Sequence, residues 1–157
     1  VGGETWERRS VGSEKTLFGI HFTTPETGWV VGIDGLILRT RDGGDTWEVQ
    51  RGQVGAAAIE DLAFMETIKN PGLYTVQVVG KEGVVAGDTG TILLSHDGGE
   101  TWRRHDLPEK QRLVWIRAAS LAPGTGGFAV GASGFAAQVT RGTVVLPDGS
   151  QATPAKN

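Results

Sequence analysis

The sequence predicts an all-β fold assembled from β-propeller blades of four antiparallel strands, about three blades plus one strand. Three observations carry this. The block Gly2-Gly3-Glu4-Thr5-Trp6 returns as Gly43-Gly44-Asp45-Thr46-Trp47 and as Gly98-Gly99-Glu100-Thr101-Trp102, its tryptophans 41 and 55 residues apart. A second block, Val31-Gly32-Ile33-Asp34-Gly35-Leu36-Ile37, returns as Ala86-Gly87-Asp88-Thr89-Gly90-Thr91-Ile92. The same 12 residues separate Gly35 from Trp47 and Gly90 from Trp102. Glycine supplies 25 of 157 residues without a collagen period, about twice its ordinary share of ~7%. Short strands punctuated by glycine turns and repeated at such spacings are the signature of propeller blades.

The elements follow in order. Residues 1–10 carry the first Trp block alone and read as a lone strand. Residues 15–51 read as a complete blade with strands at Leu17 to Phe22, Gly28 to Gly32, Leu36 to Thr40 and Trp47 to Gln50. The Asp34-Gly35 and Asp42-Gly43-Gly44 turns divide them. Residues 57–105 read as a second blade, with strands at Leu62 to Phe64, Val84 to Gly87, Ile92 to Ser95 and Trp102 to Arg104. A helix over Ala56 to Lys69 competes there, but Leu62-Ala63-Phe64 aligns with Ile20-His21-Phe22 and favours a strand. This alignment leaves Met65 to Gly83 as an insertion, read as a projecting hairpin or as elongated strands, with Tyr74 inside it. Residues 112–145 read as a degenerate third blade: Val130-Gly131-Ala132-Ser133-Gly134-Phe135-Ala136 repeats the second block, but no Trp block follows. Residues 146–157 are polar with two prolines and read as an irregular tail or linker.

Composition removes whole classes of function. There is no cysteine, hence no disulfide frame, thiol nucleophile or thiolate metal site. A net charge of −3 and basic residues interleaved with acids argue against nucleic acid as a partner. No apolar run reaches the ~18 residues of a spanning helix, so no membrane span is expected. His21, His96 and His105 show no metal-ligand spacing, and Asp34-Gly35 and Asp88-Thr89-Gly90 are too short for a calcium loop. No metal or cofactor is expected. Gly131-Ala132-Ser133-Gly134 is displaced by one residue from a nucleophile elbow, and no catalytic residue is assigned.

The fuller motif is Thr40-x-Asp42-x-Gly44-x-Thr46-Trp47 and Ser95-x-Asp97-x-Gly99-x-Thr101-Trp102, the Asp-box pattern. Its chemistry reads as structural. The carboxylate accepts hydrogen bonds from following backbone N–H groups, the glycine permits a positive φ, and the Trp supplies an apolar plate between blades. An active site needs one copy; a turn that builds the fold is wanted in every blade.

The run from Gly28 to Trp47 resembles the repeat of the Ycf48/HCF136-like propellers, the photosystem II stability and assembly factors. The resemblance extends from Val1 to about Thr140. It departs from the pattern at Val1, which stands where the first box expects Asp, and in the third unit, which has no box. The resemblance implies a non-enzymatic, protein-binding assembly module that docks on a membrane-associated complex, with a periplasmic, lumenal or extracellular location. Sialidases and other glycoside-processing enzymes also carry Asp-boxes, so a fragment of such an enzyme is the competing reading, and a structural or surface component a third.

Arginine outnumbers lysine among the 15 basic residues, and its bidentate fork suits protein interfaces. The candidate docking residues are Arg8, Arg9, Arg39, Arg41, Arg103, Arg104 and Tyr74, weighed against solvated strand ends. Three blades do not close a propeller, which commonly takes ~4–8. The chain is therefore expected either to be part of a larger propeller or to complete a ring with another copy as a homodimer. In that ring the Trp6 strand of each copy would fill the fourth strand missing from the other's third blade.

Overall fold

The computed structural model describes residues 5, 7–52, 70–140 and 142–155. Among these described residues, thirteen strands form three antiparallel sheets. The first orders β1 (Leu17–Phe22), β2 (Gly28–Gly32), β3 (Ile37–Thr40) and β4 (Glu48–Arg51) side by side. The second contains β5 (Leu73–Val79), β6 (Glu82–Gly87), β7 (Ile92–Ser95) and β8 (Arg103–Asp106). The third contains β9 (Ile116–Ala122), β10 (Gly126–Gly131), β11 (Ala136–Thr140) and β12 (Thr143–Val145). A thirteenth strand, β13 (Thr153–Pro154), adds to the edge of the second sheet beside β8. The fold is a partial propeller in which β1, β5 and β9 are the innermost strands, β5 touching β1 on one side and β9 on the other.

Local chemistry explains the repeat. Between β2 and β3 the chain turns through Asp34 (φ 58°) and Gly35 (φ 68°), and the same two left-handed residues recur as Thr89-Gly90 and Ser133-Gly134. Two consecutive positive φ angles match the twist of a tight hairpin, which is why a glycine sits second in each pair. Register repeats too. Leu17 lies opposite Gly32, Leu73 opposite Gly87 and Ile116 opposite Gly131, each followed by a bulge.

Alternation along the strands then divides two apolar faces per sheet. Trp29, Val31 and Ile37 on one face of the first sheet join Val76, Val78, Val85 and Leu93 of the second in one buried cluster. On the second sheet's other face, Val84, Ala86, Ile92 and Leu94 meet Ala119, Ala129, Ala137 and Val139 of the third. Each sheet is thus a layer in a stack, and the core is the sum of the layer contacts.

Several expectations need correction. The segment Leu62 to Phe64 lies outside the described residues, but the place expected for it beside β6 is occupied by β5, in a seven-residue run that alternates buried and half-buried positions. Residues 73–79 therefore form no projecting hairpin, and Tyr74 belongs to the innermost strand. The third sheet does not lack a fourth strand. β11 and β12 pair from Thr140–Thr143 onward, so the chain's own β12 fills the position. A ring built on Trp6 entering that vacancy is thereby excluded. The tail is not irregular throughout. Leu146 and Ala152 are buried, Gln151 bridges to Val145, and β13 closes on β8 because the polar stretch carries these apolar contacts at its two ends. Of the lone strand expected at 1–10, residues 5 and 7–10 are described and none lies in a strand.

Candidate docking face

The stack has two ends of different chemistry. At one end lie the Asp-box loops. Thr40 Oγ1 donates to Asp42 Oδ1 (2.8 Å) and accepts from Gly44 N (2.9 Å), while Asp42 accepts from Thr46 N (2.9 Å) and Thr46 Oγ1 (2.5 Å). Ser95, Asp97, Gly99 and Thr101 repeat the pattern within 0.1 Å. Donation by the threonine hydroxyl is the leading reason that both carboxylates are held down to about 2. The loops are satisfied internally.

Between the loops, the first sheet grips the second. The Gly99 carbonyl accepts from Trp29 Nε1 (3.1 Å) and Gln50 Nε2 (2.9 Å), and Gln50 Oε1 accepts from Trp102 Nε1 (3.0 Å). A Cβ on Gly99 would come within 2.6 Å of the Trp29 ring, so the indole rests on bare backbone. Glu100 receives Arg41 in a bidentate pair, and Arg39 Nη1 lies 2.5 Å from its Oε2. Hydrogen bonding from Arg39 first, then Arg41, holds Glu100 down to about 2. Arg39 is buried, its guanidinium 5.1 Å from the Trp29 centroid. Arg39 and Arg41 are thus engaged in joining two sheets, and Arg9 in bonds to Asp45 and Glu7.

The opposite end is built from the first residues of the innermost strands. Phe18, Tyr74 and Arg117 hold equivalent positions in β1, β5 and β9 and touch in series. Phe18 and Tyr74 are 5.0 Å apart, and the Arg117 guanidinium lies 4.4 Å from the Tyr74 centroid. The Arg117 guanidinium also lies 5.2 Å from the Trp115 centroid. Tyr74 Oη donates to Asp88 Oδ1 (2.6 Å), and Asp88 Oδ2 accepts from Gly72 N (3.2 Å). Burial, then the bond to Asp88, pushes the Tyr74 phenol up to about 12, so it remains a neutral donor. Arg117 is exposed, and among the described residues no carboxylate pairs with it. Leu113 and Trp115 beside it are exposed at 81% and 51%.

Outward on the same end, Arg104, Asp106, Arg112, Thr89, Leu107 and Leu113 line a cavity of about 290 Å³. Arg104 Nε bonds Asp106 (3.1 Å). The Arg51 guanidinium is shifted down by burial and then by the charge of Arg104.

Of the candidate docking residues, Tyr74 and Arg104 share this end, Arg39 and Arg41 belong to the box end, and Arg8 and Arg103 are exposed. Sequence reasoning counted Arg117 among the arginines without singling it out and passed over Trp115. A β5 that begins at Leu73 points to Arg117, since it aligns Phe18, Tyr74 and Arg117.

The family model described as photosynthesis system II assembly factor YCF48 matches residues 2–114. The chain belongs to the Ycf48 family. Its relatives include the photosystem II assembly lipoprotein Ycf48 of Synechococcus sp., 30% identical over 67% of this chain and 28% of that protein. The chloroplastic photosystem II stability/assembly factor HCF136 of Cyanidioschyzon merolae is 48% identical over 31% of this chain and 11% of that protein. Among solved structures, YCF48 from Cyanidioschyzon merolae superposes with a TM-score of 0.64 at 30% identity, over 95% of this chain and 42% of that one. YCF48 bound to D1 peptide superposes at 0.65 and 21% identity, over 92% and 41%, a likeness of fold. The chain thus spans less than half the length of these Ycf48 relatives. They are named as assembly factors, not as enzymes.

Proposed function

We propose that this chain is a non-enzymatic docking module of photosystem II assembly. It binds an extended segment of a membrane-associated protein partner at the end opposite the Asp-boxes. The observation that carries the reading is Arg117. Its guanidinium lies over the rings of both Tyr74 and Trp115 and, among the described residues, has no carboxylate partner, with Phe18, Leu113 and Trp115 exposed in the same region. That is how a protein presents arginine to a carboxylate on another chain. Arg112 and Arg104 extend the positive field outward, in keeping with steering of an acidic segment. The D1 peptide bound by one structural relative supplies the partner to try first. Relatives named as a lipoprotein and as chloroplastic support a periplasmic or lumenal location, and among the described residues no helix is long and apolar enough to cross a membrane.

The test is fluorescence anisotropy with a labelled D1 peptide. Arg117→Ala should weaken binding by about tenfold or more, the ~1.4 kcal/mol of one decade, with Arg117→Lys intermediate. Arg41→Ala, at the other end, should leave binding unchanged. Equal binding by wild type and Arg117→Ala, or hydrolysis of a fluorogenic sialoside by the chain, would overturn the reading.

A further inference from the structure

The middle sheet departs from the repeat at three positions, and the three residues meet. The turn between β6 and β7 begins with Asp88, where the other two sheets have Ile33 and Ala132. Gly72 precedes its innermost strand, where the others have Thr16 and Trp115. Tyr74 stands second in that strand, where they have Phe18 and Arg117. The turn itself does not require a carboxylate. Ile33 N donates to the Thr16 carbonyl, Asp88 N to that of Gly72 and Ala132 N to that of Trp115, at 3.0, 2.9 and 2.8 Å. The same backbone forms on isoleucine and alanine, so the Asp88 side chain answers to something else. Its Oδ1 accepts from Tyr74 Oη at 2.6 Å and its Oδ2 from Gly72 N at 3.2 Å. A Cβ on Gly72 would come within 2.9 Å of that Oδ2, so the glycine leaves the carboxylate its place. The Tyr74 ring held in this way lies 4.4 Å from the Arg117 guanidinium.

We propose that Asp88 is a positioning residue for the docking end: by holding the Tyr74 hydroxyl it fixes the ring on which Arg117 rests, and so directs the guanidinium toward the partner's carboxylate. The inference rests on the docking reading above. Charge alone would act in the opposite sense, because a carboxylate this close to the site repels an acidic segment. Positioning and repulsion therefore carry opposite signs, and replacing Asp88 separates them. Asp88→Asn removes the charge and keeps an acceptor for the phenol, whereas Asp88→Ala removes both. Alanine already occupies this turn position in the third sheet, so Asp88→Ala should fold.

In fluorescence anisotropy with the labelled D1 peptide, Asp88→Ala should weaken binding by about fivefold, while Asp88→Asn should bind at least as tightly as wild type. In a Tyr74→Phe background, which has no hydroxyl to hold, the two variants should bind alike. Equal or tighter binding by both in the wild-type background would make Asp88 a repulsive charge only. A difference that persists without the hydroxyl would route its effect through Gly72. Either result would overturn the proposal. Tyr74 is the only tyrosine, so phenolate absorbance after a stopped-flow alkaline jump reads it without any peptide. Its ionisation should fall from about 12 in wild type toward the ordinary ~10 in Asp88→Ala. An unmoved phenol would also overturn the proposal. A shifted phenol with equal peptide binding by wild type and Arg117→Ala would instead sink the docking reading, and the role of Asp88 in it, while leaving the Asp88–Tyr74 pair standing.

Discussion

Gly99 does its work through its carbonyl, which receives Trp29 and Gln50 from the neighbouring sheet. Gln50 is the more exacting partner, since it also accepts from Trp102. Gln50→Ala leaves a half-buried indole N–H unpaired and should cost about 1–3 kcal/mol. Arg41→Ala removes one exposed arm from Glu100 and should stay within about 1 kcal/mol. Urea midpoints compare the two, and equal losses would mean that the amide bridge is not what joins the sheets. The box carboxylates make a separate prediction. Asp42, Asp97 and Glu100 sit near 2 in the folded chain against 3.8, 3.8 and 4.5 as free groups. Their stabilisation is therefore present above about pH 4.5 and lost as the pH falls toward 2. Thr101→Val removes the leading donor to Asp97. The variant should be less stable at pH 7, with a flatter decline between pH 4.5 and 2. Urea unfolding across that range would refute this if the two slopes matched.

At the scale of elements, the tail is the part that composition concealed. β13 contributes only two residues to the second sheet, yet Ala155 N donates to the Arg104 carbonyl, Ala152 N to the Val144 carbonyl, and Leu146 and Ala152 enter the apolar cluster between the second and third sheets. The segment from β12 to β13 thus straps two sheets together and covers an otherwise open strand edge. Cutting the chain after Gln151 should lower the melting temperature and raise amide exchange in Arg103–Asp106 selectively. Unchanged protection there would show that the strap carries no load. Most of the other elements were legible because turns have chemistry of their own. The Asp-box, the left-handed pairs and the two-residue alternation are all local. β5 was missed because the loop between the first two strands differs in each sheet: residues 23–27 in the first, only Gly80 and Lys81 in the second. An alignment that matched Leu62-Ala63-Phe64 to Ile20-His21-Phe22 by residue type took 65–83 as an insertion and passed over the longer alternating run at 73–79. The Phe18–Tyr74–Arg117 stack was lost with it, since contact across sheets follows strand register and not sequence spacing.

On the scale of the molecule, a stack of layers implies a particular energetics. Two of the buried clusters each join consecutive sheets, so stability should approximate a sum of sheet and interface contributions, as in other repeat architectures. Ile37 and Ile92 test this well: they occupy equivalent positions in β3 and β7, are both fully buried, and belong to different clusters. Ile37→Val and Ile92→Val should each cost about 0.5–1.5 kcal/mol. In the double variant the losses should add to within ~0.5 kcal/mol, measured by urea unfolding at one protein concentration. A larger coupling would mean that a cavity at one interface is transmitted through the second sheet to the other. The sheets would then unfold as one body whose core cannot be divided at its layers, and the terminal faces would no longer be independent of the interior.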